Sequence, residues 1–469
     1  MHFSNFIRNV SYSFMANLVS FAISAILVLV APKFLDAEDY GMWQLFLFYI
    51  SFAGCCHLGW IDGIYLRYAG YSIDKLNPEK YSGQYVGLMA LESVIGVGIF
   101  LFATLCMQDS VQRTILQLSS IFPLLYNLNL FSNFILQITN QIKKYAELVL
   151  IERITFLIGI LVIITIGIKH FYGFYLVKTL SLVMSCFAGF YICKKLFVYP
   201  FDSVHKIFQE AKDNISVGLK LLIANTSSVL VIGVIRYGIS EGWDIATFGR
   251  VSLTLSVSNF LMVFINAVSI VLFPALKRIC SDQLPKLYLH IRDILSLILF
   301  LILIFYYPMR LILGLWLPQY ASYLKYMVIL FPICVFESKV ILLSKTYLKN
   351  LRKEALMLKI NLYAVLLSII WTIFSVLMIH NLDIAVFGIV LACAFRSFIS
   401  EFYLAKILNI ELQKRIFDDF LLVLTFILSG YFFENFTSTF IYTIVLSMIF
   451  YSNRRSIILA INGFRERQL

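Results

Sequence analysis

Apolar residues fill the chain in long, nearly unbroken stretches separated by short polar segments. A run of about 18 or more apolar residues is long enough to cross a bilayer as a helix. Such runs predict about 14 spans, at 9–31, 42–60, 83–106, 115–139, 149–168, 172–193, 215–237, 246–272, 288–313, 322–345, 356–378, 384–407, 418–434 and 436–451. The expected fold class is an all-α polytopic membrane protein. The first run is longer than the core of a signal peptide and no small-residue cleavage site follows it, so it is expected to stay as an uncleaved first helix. An even number of spans puts both termini on one side.

Composition agrees with the pattern. The 469 residues are 61% hydrophobic and 14% charged, with a mean hydropathy of +0.87, against about 45–50% and about 25% in a soluble domain. The formal net charge of +12 does not imply nucleic acid, because the cations sort by side. Loops on the N-terminal side carry Arg67, Lys75, Lys80, Lys143, Lys144, Lys194, Lys195, Lys277, Arg278, Lys349, Arg352, Lys353, Lys414 and Arg415. The tail adds Arg454, Arg455, Arg465 and Arg467, while the opposite loops hold little beyond Lys33, Arg113, Lys169, Arg236 and Arg310. The positive-inside rule then makes both termini cytoplasmic. It places the first loop, with DYGMWQLF at 39–46, outside. The loops are too short to hold a soluble catalytic domain. The longest, KKLFVYPFDSVHKIFQEAKDNI at 194–215, repeats Val204, Ile207, Phe208, Ala211 and Ile215 at helical spacing, with Asp202 or Ser203 placed to cap it. It reads as an amphipathic helix on the inner membrane face, joining two halves.

A shift of about 208 residues lays spans one to six over spans seven to twelve. Tyr40-Gly41 meets Phe248-Gly249, Leu45 meets Leu253, and Phe52 meets Phe260. Phe122-Pro123 meets Phe331-Pro332, and KKYAEL at 143–148 meets RKEALM at 352–357. An even number of spans per half makes this a parallel repeat, as in many transporters. The expected organisation is a six-helix lobe over 1–193, a linker over 194–214, a second six-helix lobe over 215–408, and two added helices with a basic tail over 409–469. The paired prolines kink membrane helices, which suits either rocking halves or a static bend.

Charges inside spans are functional candidates. They are Glu92, Lys178, Lys220, Arg250, Glu337, Lys339, Arg396 and Glu401. Lys178 lies about two turns from its span's end, within reach of the interface by snorkelling. Lys220 and Arg250, about a turn inside theirs, suit snorkelling or a cavity equally. Arg396 and Glu92 sit mid-helix, where a paired or cavity role is favoured. Glu337 and Lys339, two residues apart, face different sides of one helix. Arg396 and Glu401, five apart, have the spacing for a loose pair. The cations outnumber the acids, so a cavity lined by Lys220, Arg250, Lys339 and Arg396 would attract anions, phosphate above all. Glu92 and Glu337 are candidates for coupling a proton or cation, or for neutralising neighbouring cations. Asn127, Asn129, Asn133 and Asn140 could meet sugar hydroxyls or bond between helices.

Other chemistry is thin. The eight cysteines (55, 56, 106, 186, 193, 280, 334 and 393) lie in or beside apolar runs without metal spacing. The chain carries no GxxxxGK[ST], HExxH or GxSxG, and its histidines are scattered. Neither a cofactor nor a metal is expected, and the chain reads as a non-enzyme.

Residues 36–70, DAEDYGMWQLFLFYISFAGCCHLGWIDGIYLRYAG, carry a resemblance. The D-Y-G-x-W-Q-L opening and the G-W-x-D-G-I-Y-L-R-Y end of this stretch resemble bacterial oligosaccharide flippases of the polysaccharide-transporter family, relatives of the multidrug-extrusion and lipid II flippase proteins. The resemblance implies a V-shaped, two-lobed helical fold in the bacterial inner membrane. It implies that a polyprenyl-pyrophosphate-linked oligosaccharide, of O-antigen, capsule or exopolysaccharide, moves outward by alternating access. Central cations would hold the pyrophosphate, and the polymerase and chain-length regulator of the polysaccharide would be partners. Multidrug export, which favours acidic cavities, is the first alternative. A membrane-embedded polymerase or acyltransferase, which would need a long outer loop with clustered Arg or a buried His, is the second.

Overall fold

An apolar segment in a bilayer is driven into a helix, because no water is at hand to bond its N–H and C=O groups. The computed structural model describes residues 3–73, 76–200, 203–259, 262, 283–433, 435–456 and 458–459. Lys75, Asp202, Lys277, Arg278, Cys280, Arg465, Arg467 and most of the eighth span beyond Asn259 lie outside the described residues.

In chain order the α-helices are α1 (Phe3–Phe34), α2 (Ala37–Ile50), α3 (Trp60–Tyr68), α4 (Pro78–Cys106), α5 (Ser110–Ser119), α6 (Phe122–Ile138), α7 (Ile142–Ile166), α8 (Phe171–Phe197), α9 (Val204–Gly242) and α10 (Ile245–Ser258). They continue as α11 (Leu284–Ile302), α12 (Tyr306–Trp316), α13 (Lys325–Leu330), α14 (Ile333–Lys339), α15 (Thr346–Asn350), α16 (Glu354–Thr372), α17 (Leu382–Leu408), α18 (Gln413–Phe432) and α19 (Asn435–Ser452). Among the described residues, 9 helical stretches are long and apolar enough to cross a membrane. The count is 10 with Ala37–Cys55 and Trp60–Tyr68, a pair bent by 51°, and Leu18–Phe34 and Phe436–Ser452 are shorter apolar helices. The protein is an all-helical, multi-pass membrane protein.

Several helices begin well before their apolar runs, because hydropathy marks what lies in lipid whereas caps mark where the backbone starts to coil. α4 starts at Pro78, with the Asn77 side chain accepting from Glu79 N–H at 3.0 Å. DYGMWQLF, expected in the first outer loop, is instead wholly helical. Asp36 caps α2 by accepting from Asp39 N–H at 2.8 Å, and Glu38 and Asp39 favour the helix's positive end. The 194–214 linker also differs from its expected form. From Val204 it continues into the next span as one helix of 39 residues, with no proline to stop it. Pro123 and Pro332 each begin a new helical piece, α6 after Ser119 and α14 after Leu330.

The chain divides into unit 1 (Met1–Thr226 with Ile245–Gly249) and unit 2 (Ser227–Asp244 with Arg250–Leu469). The core of unit 1 is aromatic: Tyr85 stacks on Phe197 at 4.3 Å, and Phe46 meets Phe122 edge-on at 4.9 Å. In unit 2, Tyr306 packs edge-on against Phe426 at 5.3 Å, fastening α18 to α12.

Glycines set the closest helix approaches in unit 1. A Cβ on Gly63 would lie 1.9 Å from Asn214 O, and one on Gly218 1.9 Å from Gly59 O. At the other end of the bent pair, a Cβ on Gly41 would lie 2.1 Å from Ile245 O and one on Gly249 2.6 Å from Gly41 Cα. The aromatic-glycine pairs that mark the repeat therefore pack backbone to backbone, as small residues permit in membranes.

Candidate functional site

In unit 1 the break between α2 and α3 exposes backbone carbonyls inside the bundle, and α4 and α6 bring polar side chains to them. Asn127 on α6 donates both amide hydrogens, to Ala53 O at 2.9 Å and to Glu92 Oε1 on α4 at 2.8 Å. Glu92 and Asn127 are each 0% exposed. Among the described residues, Glu92 Oε2 and Asn127 Oδ1 have no hydrogen-bond partner. A buried carboxyl with one open oxygen beside an open amide oxygen can take up a proton or a small cation. Asn129 Oδ1 accepts from Ser185 Oγ at 3.2 Å and from Asn133 Nδ2 at 3.3 Å, so this pair bonds within and between helices. Asn140 serves the backbone: at φ 57° it ends α6, and the next amide, Gln141 N–H, bonds Leu136 O at 2.8 Å. Lys178 turns inward and pairs with Glu152 at 2.7 Å, with its ammonium 5.4 Å from the Phe156 ring. Lys220 is exposed on α9.

Unit 2 holds its charges in buried pairs. Arg396 on α17 is 1% exposed and pairs with Glu337 on α14, while its other arm donates to Ser228 Oγ at 2.8 Å. Glu401, five residues further along α17, turns to a separate cluster. Arg292 on α11 donates to Glu401 at 2.7 Å and also binds Asp419 on α18. Lys339 on α14 binds Asp419 and lies 3.7 Å from Glu401. Two cations thus face two acids across α11, α14, α17 and α18. Removing one member of such a set leaves an unpaired buried charge, which costs about 3–5 kcal/mol. Just beyond Lys339 the helix widens into a π segment, Val340–Lys345, a feature common at functional sites. Arg250 is half-buried, with its guanidinium 4.8 Å from the Tyr323 ring.

The residues expected as a cationic set therefore separate. Lys339 and Arg396 are already neutralised by acids, whereas Lys220 and Arg250 keep partial or full exposure. Glu337 is the partner of Arg396, and the loose Arg396–Glu401 pair does not form. Arg292, Asp419 and Glu152 carry equal weight in these networks and were missed. Arg292 and Asp419 lie within a turn or so of the ends of their apolar runs, where a charge is read as interfacial. Arg415, expected as a loop cation, pairs with Asp293 at 2.8 Å.

The helical fold is similar to that of solved multi-pass membrane transporters. No family model matches the sequence, and no curated protein matches it. Among solved structures, one likeness is to the lipid II flippase MurJ in an inward closed conformation, with a TM-score of 0.65 and 14% identity over 96% of this chain and 100% of that one. A multidrug resistance MATE family transporter in an inward-facing conformation gives a TM-score of 0.62 and 14% identity over 86% of this chain and 98% of that one. A MATE structure in the bent conformation gives 0.55, with 14% identity over 86% and 95%. At such identities the likeness is one of fold.

Proposed function

We propose that the protein flips a polyprenyl-pyrophosphate-linked oligosaccharide from the cytoplasmic to the outer leaflet of a bacterial inner membrane by alternating access. The observation that carries this reading is the fold shared with a lipid II flippase along 96% of the chain. The D-Y-G-x-W-Q-L and G-W-x-D-G-I-Y-L-R-Y stretches and the distribution of loop cations support it. Both termini are cytoplasmic in this reading. The product feeds O-antigen, capsule or exopolysaccharide assembly, with its polymerase and chain-length regulator as partners. Lys220 and Arg250 meet the pyrophosphate first. Lys339 and Arg396 follow only when they part from Asp419 and Glu337, a step that Coulomb attraction to an incoming diphosphate makes feasible. Glu92, with Glu337 as a second candidate, carries the coupling proton or cation. Asn127, Asn129 and Asn133 are the candidate contacts for sugar hydroxyls.

The likeness to MATE transporters, over the smaller share of 86%, supports a second reading, export of small molecules. One experiment separates the two. Arg250→Ala should lose at least about tenfold of surface polysaccharide while the protein still inserts at its normal level. Arg396→Gln with Glu337→Gln, which removes both charges of that pair, should do the same. Normal polysaccharide in both variants sinks the flippase assignment of these cations, and altered resistance to cationic drugs instead favours export.

A further inference from the structure

Unit 1 has a second polar feature, where α3 ends and α4 and α9 begin. A pocket of about 590 Å³ opens there, lined by Lys80, Gln84, Lys206, Gln209, Lys212 and Asp213 among others. Two of its lining residues, Gln84 and Glu210, are held from behind by side chains of the G-W-x-D-G-I-Y-L-R-Y stretch. Trp60 Nε1 donates to Gln84 Oε1 at 2.6 Å, and Arg67 donates to Asn214 Oδ1 at 2.7 Å. Glu210, the acid in this wall, is held by Arg67 at 2.7 Å, Lys80 at 2.8 Å and the Tyr68 hydroxyl at 2.7 Å. Its charge is therefore neutralised inside the wall. Lys206 and Lys212 stand exposed on the first turns of α9, and Asp213, the other acid among the described lining residues, lies 3.9 Å from Arg67. Among the described residues, three lysines and two acids line the pocket, and Arg67 stands behind Glu210. The starts of α4 and α9 lie at its edge, and their positive ends add to the same field.

We propose that this pocket binds a phosphate-bearing anion: the head group of an anionic bilayer lipid or a free diphosphate. The lysines supply point charges for phosphate oxygens. Gln84 is fixed by Trp60 and donates to Ile207 O at 3.2 Å, which keeps the first turns of α9 against the wall. The pocket lies in unit 1 alone and uses none of the cations assigned to translocation, so it stands or falls separately from flipping.

The test uses the full-length protein in phosphatidylcholine nanodiscs, with Lys206→Glu/Lys212→Glu as the variant. Both side chains are exposed, and Lys206→Gln/Lys212→Gln serves if charge reversal lowers the yield. In one arm inorganic pyrophosphate is titrated calorimetrically. In the other, phosphatidylglycerol is mixed in and retained lipid is counted by native mass spectrometry. Pyrophosphate binding that weakens at least about tenfold in the variant supports the proposal with a free diphosphate as ligand. Selective phosphatidylglycerol retention that drops likewise, without pyrophosphate binding, supports it with the lipid head group. No binding in either arm, or binding that the variant leaves unchanged, overturns it.

Discussion

At the scale of single residues, Glu92 is the group whose placement asks most for a function. Its carboxyl is fully buried, one oxygen takes the Asn127 amide at 2.8 Å, and the other is open. A purely structural acid in a membrane would be expected to meet a cation. Glu92→Gln keeps the size and the Asn127 bond but removes the titration. The variant should fold normally, and its transport rate should lose the pH dependence of the wild type. A profile that keeps the wild-type shape counts against coupling at Glu92. The sequence singled out Glu92 because a mid-span acid has no route to water. It also singled out Arg396, Lys339, Glu337 and Glu401, but not their true pairing. Pairing depends on which helix faces which, and spacing along one helix carries no such information. Arg292 and Asp419 escaped notice for a related reason: hydropathy treats a charge near the end of a run as solvated, whereas these turn into the bundle.

At the scale of helices, the glycines of the bent pair decide how closely neighbours approach. Gly63→Val would push a side chain into Asn214 O, 1.9 Å from its Cβ. Helix backbones cannot yield as a flexible side chain can, so the cost should be about 1–3 kcal/mol or more. The expected result is a clear fall in folded yield and melting temperature by fluorescence-detected size exclusion. Gly98→Ala is the matched control, since nothing lies within 4 Å of its Cβ. A Gly63→Val protein as stable as Gly98→Ala would contradict the packing role. The repeat made Gly41 and Gly249 equivalent in register. Their contact was not legible, because equivalence in a repeat does not imply touching. The runs located the spans well, but the start of α2 was misplaced as a loop. Its first turn is polar and aromatic, and the Asp36 cap, not apolarity, begins the helix.

At the scale of the whole molecule, hydropathy alone made an all-helical, multi-pass membrane protein the only fold open to the chain. Alternating apolar runs place the helices that are long and apolar enough to cross a membrane. The likeness to solved MurJ and MATE structures adds the fold, which a single sequence encodes only through weak echoes. Substrate identity is the least legible property, because Lys339 and Arg396, two of the cations expected to hold a diphosphate, are paired with Asp419 and Glu337. The most direct measurement is therefore of the substrate's leaflet. In cells lacking this protein, a membrane-impermeant sugar-oxidising or lectin probe should fail to reach the lipid-linked repeat units on intact spheroplasts, yet label them fully after lysis. Restoring the wild-type chain should make them accessible from outside. Repeat units already exposed outside without the protein would contradict the account.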